Sequence, residues 1–266
     1  MILVIGEFIK DEFIYCSSDR LSPEACCPVI KEIFREKNDG GAANVVSNLK
    51  SLGCDKILFV HQNNEIIKTR YVHKSSGQHI ARLDKESPCK PLSIESLIQS
   101  TSSSKCSDPI DMIVISDYCK GFITESLIHD IRKKFSCKII IDTKKKAGNW
   151  IKYVDFIKIN KKEFDENFLP YDLGKQVSTL LKKTNLFVTL GERGVYHFNT
   201  DSTIKTKEVE ANCVSGAGDS YLAGFVAEYL RCANINKSLS FANQVASIAV
   251  SKRGVVSVSE TELNDS

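Results

Sequence analysis

Long apolar runs are missing: nowhere does the chain approach the roughly 18 consecutive apolar residues that a membrane-crossing helix needs. A secretory leader is not expected either, since Met1-Ile2-Leu3-Val4-Ile5-Gly6 runs straight toward charged Lys10, Asp11 and Glu12 with no basic start and no cleavage site. Both absences lead us to expect a cytoplasmic protein with no membrane partner. Ten cysteines are present, yet no Cys-x-x-Cys pair occurs and adjacent Cys26-Cys27 has no histidine at metal-ligand spacing, so structural zinc is not expected. In a reducing compartment the cysteines are expected to be free thiols, most of them packed as small hydrophobes. Strong charge of one sign is absent as well. The net charge of +3 is spread along 266 residues, which gives no reason to expect nucleic acid and leaves small acidic substrates open. Internal repeats are also absent. With 42% apolar and 26% charged residues, the chain reads as one globular domain over residues 1–266.

What is there is organised around Cys213-Val214-Ser215-Gly216-Ala217-Gly218-Asp219-Ser220, which continues into Tyr221-Leu222-Ala223-Gly224-Phe225-Val226-Ala227-Glu228-Tyr229-Leu230. Two glycines flanking an alanine let backbone come close to a ligand, and the apolar residues after them recur at helical spacing, so the turn opens a buried helix. The first amides of such a helix have no intrahelical partner and sit at the positive end of a dipole worth about half an elementary charge, which suits phosphate. The Gly-Lys-Ser/Thr ending of a Walker loop is absent, so no lysine reaches the phosphates from here. Asp219 then needs a reason to stand beside an anion site. Either it caps its helix, or it accepts a proton from an attacking hydroxyl.

Along the chain, strand and helix patterns alternate. Ile2 to Ile5 reads as a buried strand whose end faces a ligand crevice. Residues 13–36, with Phe13-Ile14-Tyr15 and later Val29, Ile30, Ile33 and Phe34 among charges, read as part of a small β flap or lid. A lid would exclude water from a reactive phosphate, and it offers a surface for pairing with a second copy. Asp39-Gly40-Gly41-Ala42-Ala43-Asn44 leads into an amphipathic helix closing at Leu52-Gly53; it is either a plain loop-to-helix turn or a place where backbone and the Asn44 amide read a ligand's hydroxyls. Ile57–Val60 is a further strand, and Arg70-Tyr71-Val72 pairs with Gln78–Leu83 as a hairpin. Residues 87–108 are a Ser/Pro-rich connection with a helical piece from Ile94 to Gln99.

The strand Met112–Ile115 delivers Ser116-Asp117-Tyr118-Cys119-Lys120-Gly121 to the crevice edge, where Lys120 suits a phosphate or is a surface lysine. A helix over Leu127–Phe135 and a strand over Lys138–Ile141 follow. In Asp142-Thr143-Lys144-Lys145-Lys146, Lys145 and Lys146 read as solvated and Lys144 as the better anion ligand. The Asn160-Lys161-Lys162-Glu163 element has the spacing of a capping box. Thr189-Leu190-Gly191-Glu192-Arg193-Gly194 is either a hairpin turn or a phosphate loop, and Phe241–Val250 is a small-residue helix that leaves room for a flat base. Repeated strand-then-helix units predict a mostly parallel sheet covered on both faces.

Taken together, these stretches resemble the ribokinase-like (PfkB) carbohydrate kinases over nearly the whole chain. The likeness is carried by Gly216-Ala217-Gly218-Asp219, by Gly40-Gly41 with Asn44, and by the helix ending in Leu52-Gly53. One departure is Cys213, where that family has an acidic or small polar residue. The resemblance implies an α/β three-layer sandwich with a mostly parallel central sheet and a small β lid. It also implies ATP and magnesium as cofactors, room for a monovalent cation, a small-molecule sugar phosphate as partner, and a homodimer. Residue by residue, it makes Asp219 the catalytic base and Gly216, Ala217 and Gly218 the anion hole. Asp11, Gly40, Gly41 and Asn44 would hold the sugar. Asn160 and Glu163 would organise magnesium and phosphates, Glu163 through water; Thr189, Gly191, Gly194 and Asn243 would hold the nucleotide.

Within the family, Ser22-Pro23-Glu24-Ala25 with Pro28-Val29, Ala81-Arg82-Leu83-Asp84, Ser116-Asp117-Tyr118 with Lys120-Gly121, and residues 252–258 are similar to the heptose 7-phosphate kinases of the ADP-heptose pathway. That likeness implies phosphorylation of the anomeric hydroxyl of D-glycero-β-D-manno-heptose 7-phosphate. It adds Asp117 as a substrate ligand and Arg70, Lys120 and Lys144 as partners for the substrate's phosphate. Relative to such kinases, a strand and helix after Val60 are missing. Two alternatives stay open: another sugar or nucleoside kinase of the same fold, and a catalytically silent sugar- or nucleotide-binding protein.

Overall fold

The computed structural model describes residues 1–103, 108–169, 179–181, 184–252, 254 and 256–264. Residues 104–107 of the expected Ser/Pro connection, and Arg253 and Val255 of the C-terminal likeness, lie outside them.

The strands in chain order are β1 (Ile2–Gly6), β2 (Phe8–Ser17), β3 (Lys31–Gly41), β4 (Ile57–Val60), β5 (Ile67–His73), β6 (His79–Lys85), β7 (Met112–Asp117), β8 (Lys138–Thr143), β9 (Phe156–Asn160), β10 (Asn185–Thr189), β11 (Val195–His197) and β12 (Ser202–Ile204). The helices are α1 (Ala42–Ser51), α2 (Ile94–Ser103), α3 (Glu125–Lys134), α4 (Lys161–Asn167), α5 (Ala217–Cys232), α6 (Ile235–Ser251) and α7 (Glu260–Asn264). One sheet has the order β12-β11-β10-β9-β8-β7-β1-β4; it is parallel from β10 to β4, with β11 and β12 antiparallel at one edge.

The apolar strands are unbroken because both of their faces are covered, and successive side chains point to opposite faces. Leu3, Ile5, Ile113, Ile115, Ile139, Ile141, Ile157 and Ile159 pack in one core with Leu97, Leu127, Ile131 and Trp150. Ile2, Val4, Met112, Val114, Ile140 and Phe156 pack in the other with Val45, Leu49, Phe225 and Val245. The result is the three-layer α/β arrangement that the alternating pattern predicts.

The second sheet, β3-β2-β5-β6, is the lid. Besides β2 and β3, which include residues 13–17 and 31–36 of the expected flap, it contains the β5–β6 hairpin, joined to β2 in parallel. Val29 and Ile30 precede β3 instead of forming a strand. Ile33 and Phe34 of β3, and Leu21 in the segment between β2 and β3, are exposed.

The cysteines depart from expectation. Of the nine described, all free, only Cys16 and Cys89 are buried, and Cys26, Cys27, Cys119 and Cys232 are exposed. Their distribution does not follow the core. Lys145 departs too: its ammonium lies 2.8 Å from the Asp117 carboxylate and donates to the Ile123 carbonyl at 2.7 Å, so it is an internal strut and not a solvated lysine.

Candidate active site

β1 and β7 end side by side where the strand order turns, and open α/β sheets bind ligands outside that crevice. The buried Glu7, just past β1, accepts from the amides of Tyr118 at 2.8 Å and Lys120 at 3.1 Å, and so fixes the loop after β7. Burial pushes its carboxyl pKa up, and the Asp117 carboxylate pushes the same way.

Asp219 lies in the first turn of α5 with only 6% of its surface exposed. One carboxylate oxygen accepts from Asn44 Nδ2 at 3.0 Å, the other from the Tyr118 hydroxyl at 2.9 Å. Asn44 is itself oriented by Asn48, whose amide donates to the Asn44 carbonyl at 2.8 Å and to Asn44 Oδ1 at 3.1 Å. That leaves the Asn44 NH2 facing the carboxylate. Burial raises the Asp219 pKa to about 6 against the pull of Asn44, with Asp142 also raising it and Lys158 and Tyr118 lowering it. Such a carboxyl is ionised at neutral pH yet basic enough to take a proton.

The turn before α5 has Gly216 at φ 83°, a left-handed conformation that glycine adopts without strain, and no side chain caps the helix. The Ala217 amide donates to the Val214 carbonyl at 3.4 Å, which leaves the amides of Gly218 and Asp219 for an anion. Cys213 does not loosen the turn. The amides of Asn212 and Cys213 both donate to the Val250 carbonyl at the end of α6, at 2.8 and 3.0 Å.

Lys158 is a lysine in the middle of a buried strand, and its ammonium donates to Asp142 at 2.7 Å. Burial works against that charge, but the Asp142 carboxylate outweighs it and the lysine's pKa rises. A Cβ on Gly218 would stand 2.7 Å from Lys158 Nζ, so glycine is what lets this cation reach the anion turn.

Two cavities meet at Gly218. A charged one of about 190 Å³ is lined by Asp117, Tyr118, Asp142, Lys144, Lys158, Asn160, Glu163, Gly216 and Asp219. A largely apolar one of about 250 Å³ is lined by Thr189, Gly191, Gly194, Asn243, Ala246, Val214 and Val250. An apolar slot leading into a charged one suits a base joined to phosphates. Asn160 and Glu163 form a reciprocal capping box, each backbone N–H bonding the other's side chain at 2.8 Å. Burial raises the Glu163 pKa and Asp142 adds to it, a repulsion that a cation would relieve. Among the described residues no three His, Cys, Asp or Glu side chains cluster to hold a metal. A site with few protein ligands still fits magnesium, which keeps waters and takes one or two carboxylates plus phosphate oxygens.

On the acceptor side, Asp11 pairs with Arg70 at 2.5 Å, and a Cβ on Gly40 would fall 2.0 Å from the second Asp11 oxygen. Gly41, at φ 62°, would bring a Cβ to 2.4 Å from the Glu7 carbonyl. Asp117, expected as a substrate ligand, borders the charged cavity, and its buried carboxylate accepts from Thr143 at 2.6 Å and the Cys119 amide at 2.9 Å and pairs with Lys145. Arg70 and Lys120 also have carboxylate partners, Asp11 and Glu86. Asn243 lines the apolar cavity while its amide donates to the Ile204 and Lys205 carbonyls at 2.9 and 3.3 Å.

Sequence reasoning missed Tyr118, Asp142 and Lys158 as site residues. The signal available for Lys158 was a single lysine inside the apolar run Phe156-Ile157-Lys158-Ile159; for Tyr118 and Asp142 it was only position at a strand end.

Among solved structures, the chain is similar to ribokinase from Thermotoga maritima, with a TM-score of 0.75 at 19% identity covering 99% of this chain and 98% of that one. It is also similar to Arabidopsis thaliana ribokinase complexed with ribose and ATP, with a TM-score of 0.68 at 14% identity covering 99% and 97%. These likenesses give the ribokinase fold. Curated relatives include the bifunctional protein HldE of Campylobacter jejuni strain RM1221, 32% identical over 98% of this chain and 63% of that protein. The bifunctional protein HldE of Hydrogenovibrio crunogenus is 30% identical over 99% of this chain and 62% of that protein. The chain thus spans somewhat under two thirds of these relatives' length. Residues 75–262 match the profile described as pfkB family carbohydrate kinase. Fold, relatives and profile agree, and the chain belongs to the pfkB family of carbohydrate kinases.

Proposed function

We propose that this pfkB family kinase transfers the γ-phosphoryl group of ATP to the anomeric hydroxyl of D-glycero-β-D-manno-heptose 7-phosphate, giving the 1,7-bisphosphate. The observation that carries the reading is the buried Asp219, held between Asn44 and Tyr118 beside an uncapped helix start. The hydroxyl oxygen attacks the γ-phosphorus, its proton passes to Asp219, and the bond from that phosphorus to the β-phosphate oxygen breaks to release ADP. A well-placed base contributes on the order of 10² to 10⁴ in rate. The first-turn amides of α5 and the Lys158 ammonium face the charge that gathers on the transferring group. Magnesium, when bound with the nucleotide, neutralises phosphate charge; Asp142 and Glu163 are the residues that would hold it, Glu163 through water. Thr189, Gly191, Gly194 and Asn243 border the slot for the base.

The acceptor assignment rests on the sequence stretches shared with heptose 7-phosphate kinases. A panel of acceptors under ATP and magnesium tests it: we expect the heptose phosphate to be used best, and preference for an unphosphorylated hexose or a nucleoside would replace it with another kinase of this fold. A silent binding protein is less well supported, because a buried carboxylate held by Asn44 and Tyr118 beside an uncapped helix start is placed to take a proton. Ligand-dependent melting with no product at saturating ATP would favour it. We also assign a homodimer contact to the lid's exposed Leu21, Ile33 and Phe34, which sedimentation equilibrium would detect.

No described helix is long and apolar enough to cross a membrane.

A further inference from the structure

The two groups that hold Asp219 come from different elements, Asn44 from the first turn of α1 and Tyr118 from the loop after β7. Both arms trace back to one residue. The backbone carbonyl of Glu7 accepts at 3.0 Å from the amide of Ala42, the first residue of α1 and two before Asn44. Its carboxylate accepts from the Tyr118 amide at 2.8 Å and the Lys120 amide at 3.1 Å. The next residue is clamped in turn: the Gln62 carboxamide accepts from the Phe8 amide at 2.8 Å and donates to the Phe8 carbonyl at 2.6 Å.

Glu7 has no exposed surface, so it touches no ligand from where it lies. Burial opposes its charge, and the Asp117 carboxylate opposes it further. A buried charge is weak support for stability, and an apolar residue of similar volume often serves a fold as well. What the carboxylate supplies, and an apolar side chain could not, is a pair of acceptors on a fixed span. With the Cys119 amide donating to Asp117 at 2.9 Å, all three successive amides of residues 118–120 end on buried carboxylates. Cys119 is thereby held at φ 57°, a left-handed backbone that a residue with a side chain adopts at a cost. The loop does not take this shape by local preference. The carboxylates impose it, and with it the direction of the Tyr118 ring.

We propose that Glu7 is the positioning residue for the base: its carbonyl places Asn44, its carboxylate places Tyr118, and it thereby sets both hydrogen bonds on Asp219 from outside the cleft. The proposal deepens the kinase reading and rests on Asp219 being the base.

Glu7→Gln separates the two arms. It keeps the carbonyl that meets Ala42 but leaves one loop amide facing an NH2 group, so only the Tyr118 arm is disturbed. The Tyr118 hydroxyl favours the ionised carboxylate, so weakening its bond should raise the Asp219 pKa by about half a unit to one unit. We expect kcat to fall about tenfold while KM for ATP stays within about twofold. The other charges that face Asp219, Asp142 on β8 and Lys158 on β9, are unchanged in this variant.

A merely structural role would not show coupling between sites. In a Tyr118→Phe background Glu7→Gln should move the Asp219 pKa no further, whereas in an Asn44→Ala background it should add its full shift. The pKa is read without turnover, by carbon-13 NMR of aspartate-labelled protein free of nucleotide, with the Asp219 carboxyl identified by its loss in Asp219→Asn. A pKa that does not move in Glu7→Gln, or that moves as far with Tyr118→Phe as without it, overturns the positioning role and leaves the kinase reading in place. A coupled shift in a protein with no turnover supports the positioning of Asp219 and removes the kinase reading. Glu7→Asp, which keeps the charge and withdraws it by one methylene, should shift the pKa in the same direction. If neither variant folds, Glu7 serves the fold and not the site, and the proposal is overturned.

Discussion

Asn44 and Asp219 are 175 positions apart in the chain and 3.0 Å apart in the fold, amide nitrogen to carboxylate oxygen. The bond favours the ionised carboxylate, so Asn44→Ala should raise the pKa of Asp219 by about one unit, the worth of one such hydrogen bond. The acidic limb of the kcat/KM profile should move to higher pH. A limb that stays in place would mean that Asn44 does not tune the base.

Asp219 must be ionised to accept a proton, and burial holds its pKa near 6. Activity should therefore be full above that value and fall about tenfold for each further unit of acidity below it. The pH dependence of kcat/KM measures this; a profile flat down to pH 4.5 would remove Asp219 from the role.

The same shift sets a stability cost with a definite sign. Between pH 3.8 and about 6 the folded carboxyl keeps a proton that the unfolded chain has lost, so above pH 6 the folded state carries an ionised group that it disfavours. The cost is about 3 kcal/mol at neutral pH. Asp219→Asn should lose on the order of 10² to 10⁴ in turnover, keep its affinity for ATP, and melt at a higher temperature than the parent at pH 8. The gain should shrink toward pH 4. Asn fits the site, since its oxygen accepts from Asn44 and its NH2 donates to the Tyr118 oxygen.

Gly218→Ala tests the approach of Lys158. The added Cβ would lie 2.7 Å from the ammonium and 4.0 Å from the Asp142 carboxylate, and the lysine end has to move away. We expect a folded protein with kcat reduced about 100-fold, as for the loss of one charge-stabilising donor. Retained turnover would show that the ammonium is not needed beside the turn.

The helix behind the turn is held by aromatic packing. Phe225 meets Phe156 edge-on at 5.3 Å, Phe187 at 5.0 Å and Tyr229 stacked at 5.6 Å. Phe225→Ala should lower unfolding stability by about 3–5 kcal/mol in urea titration.

Much of the site was legible because it is carried by short contiguous stretches. Gly216 to Asp219, Gly40-Gly41 with Asn44, and Asn160 with Glu163 each combine a backbone requirement with a polar residue at fixed spacing, and the structure brings them to one crevice. The cations were not legible. A lysine codon-by-codon looks the same whether its ammonium meets water, a carboxylate or an aromatic face. Thus Lys145 read as solvated and is a strut, Lys120 and Arg70 read as candidates for a substrate's phosphate and have the carboxylate partners Glu86 and Asp11, and Lys68 drew no attention although its ammonium, like that of Lys144, lies near the Tyr118 ring. The cysteines misled for a related reason: a small residue's burial depends on what packs over it, not on its own character.

The sequence by itself determined the layered α/β architecture, since apolar strands and amphipathic helices have periods that fix which faces must be covered, and it determined the turn at Gly216, since glycine adopts a left-handed backbone without strain. Tertiary structure alone decided which ionisable groups face each other. Charge interactions depend on distance and on exclusion of water, and neither exists until β7, β8, β9, α1 and the start of α5 converge on one cleft.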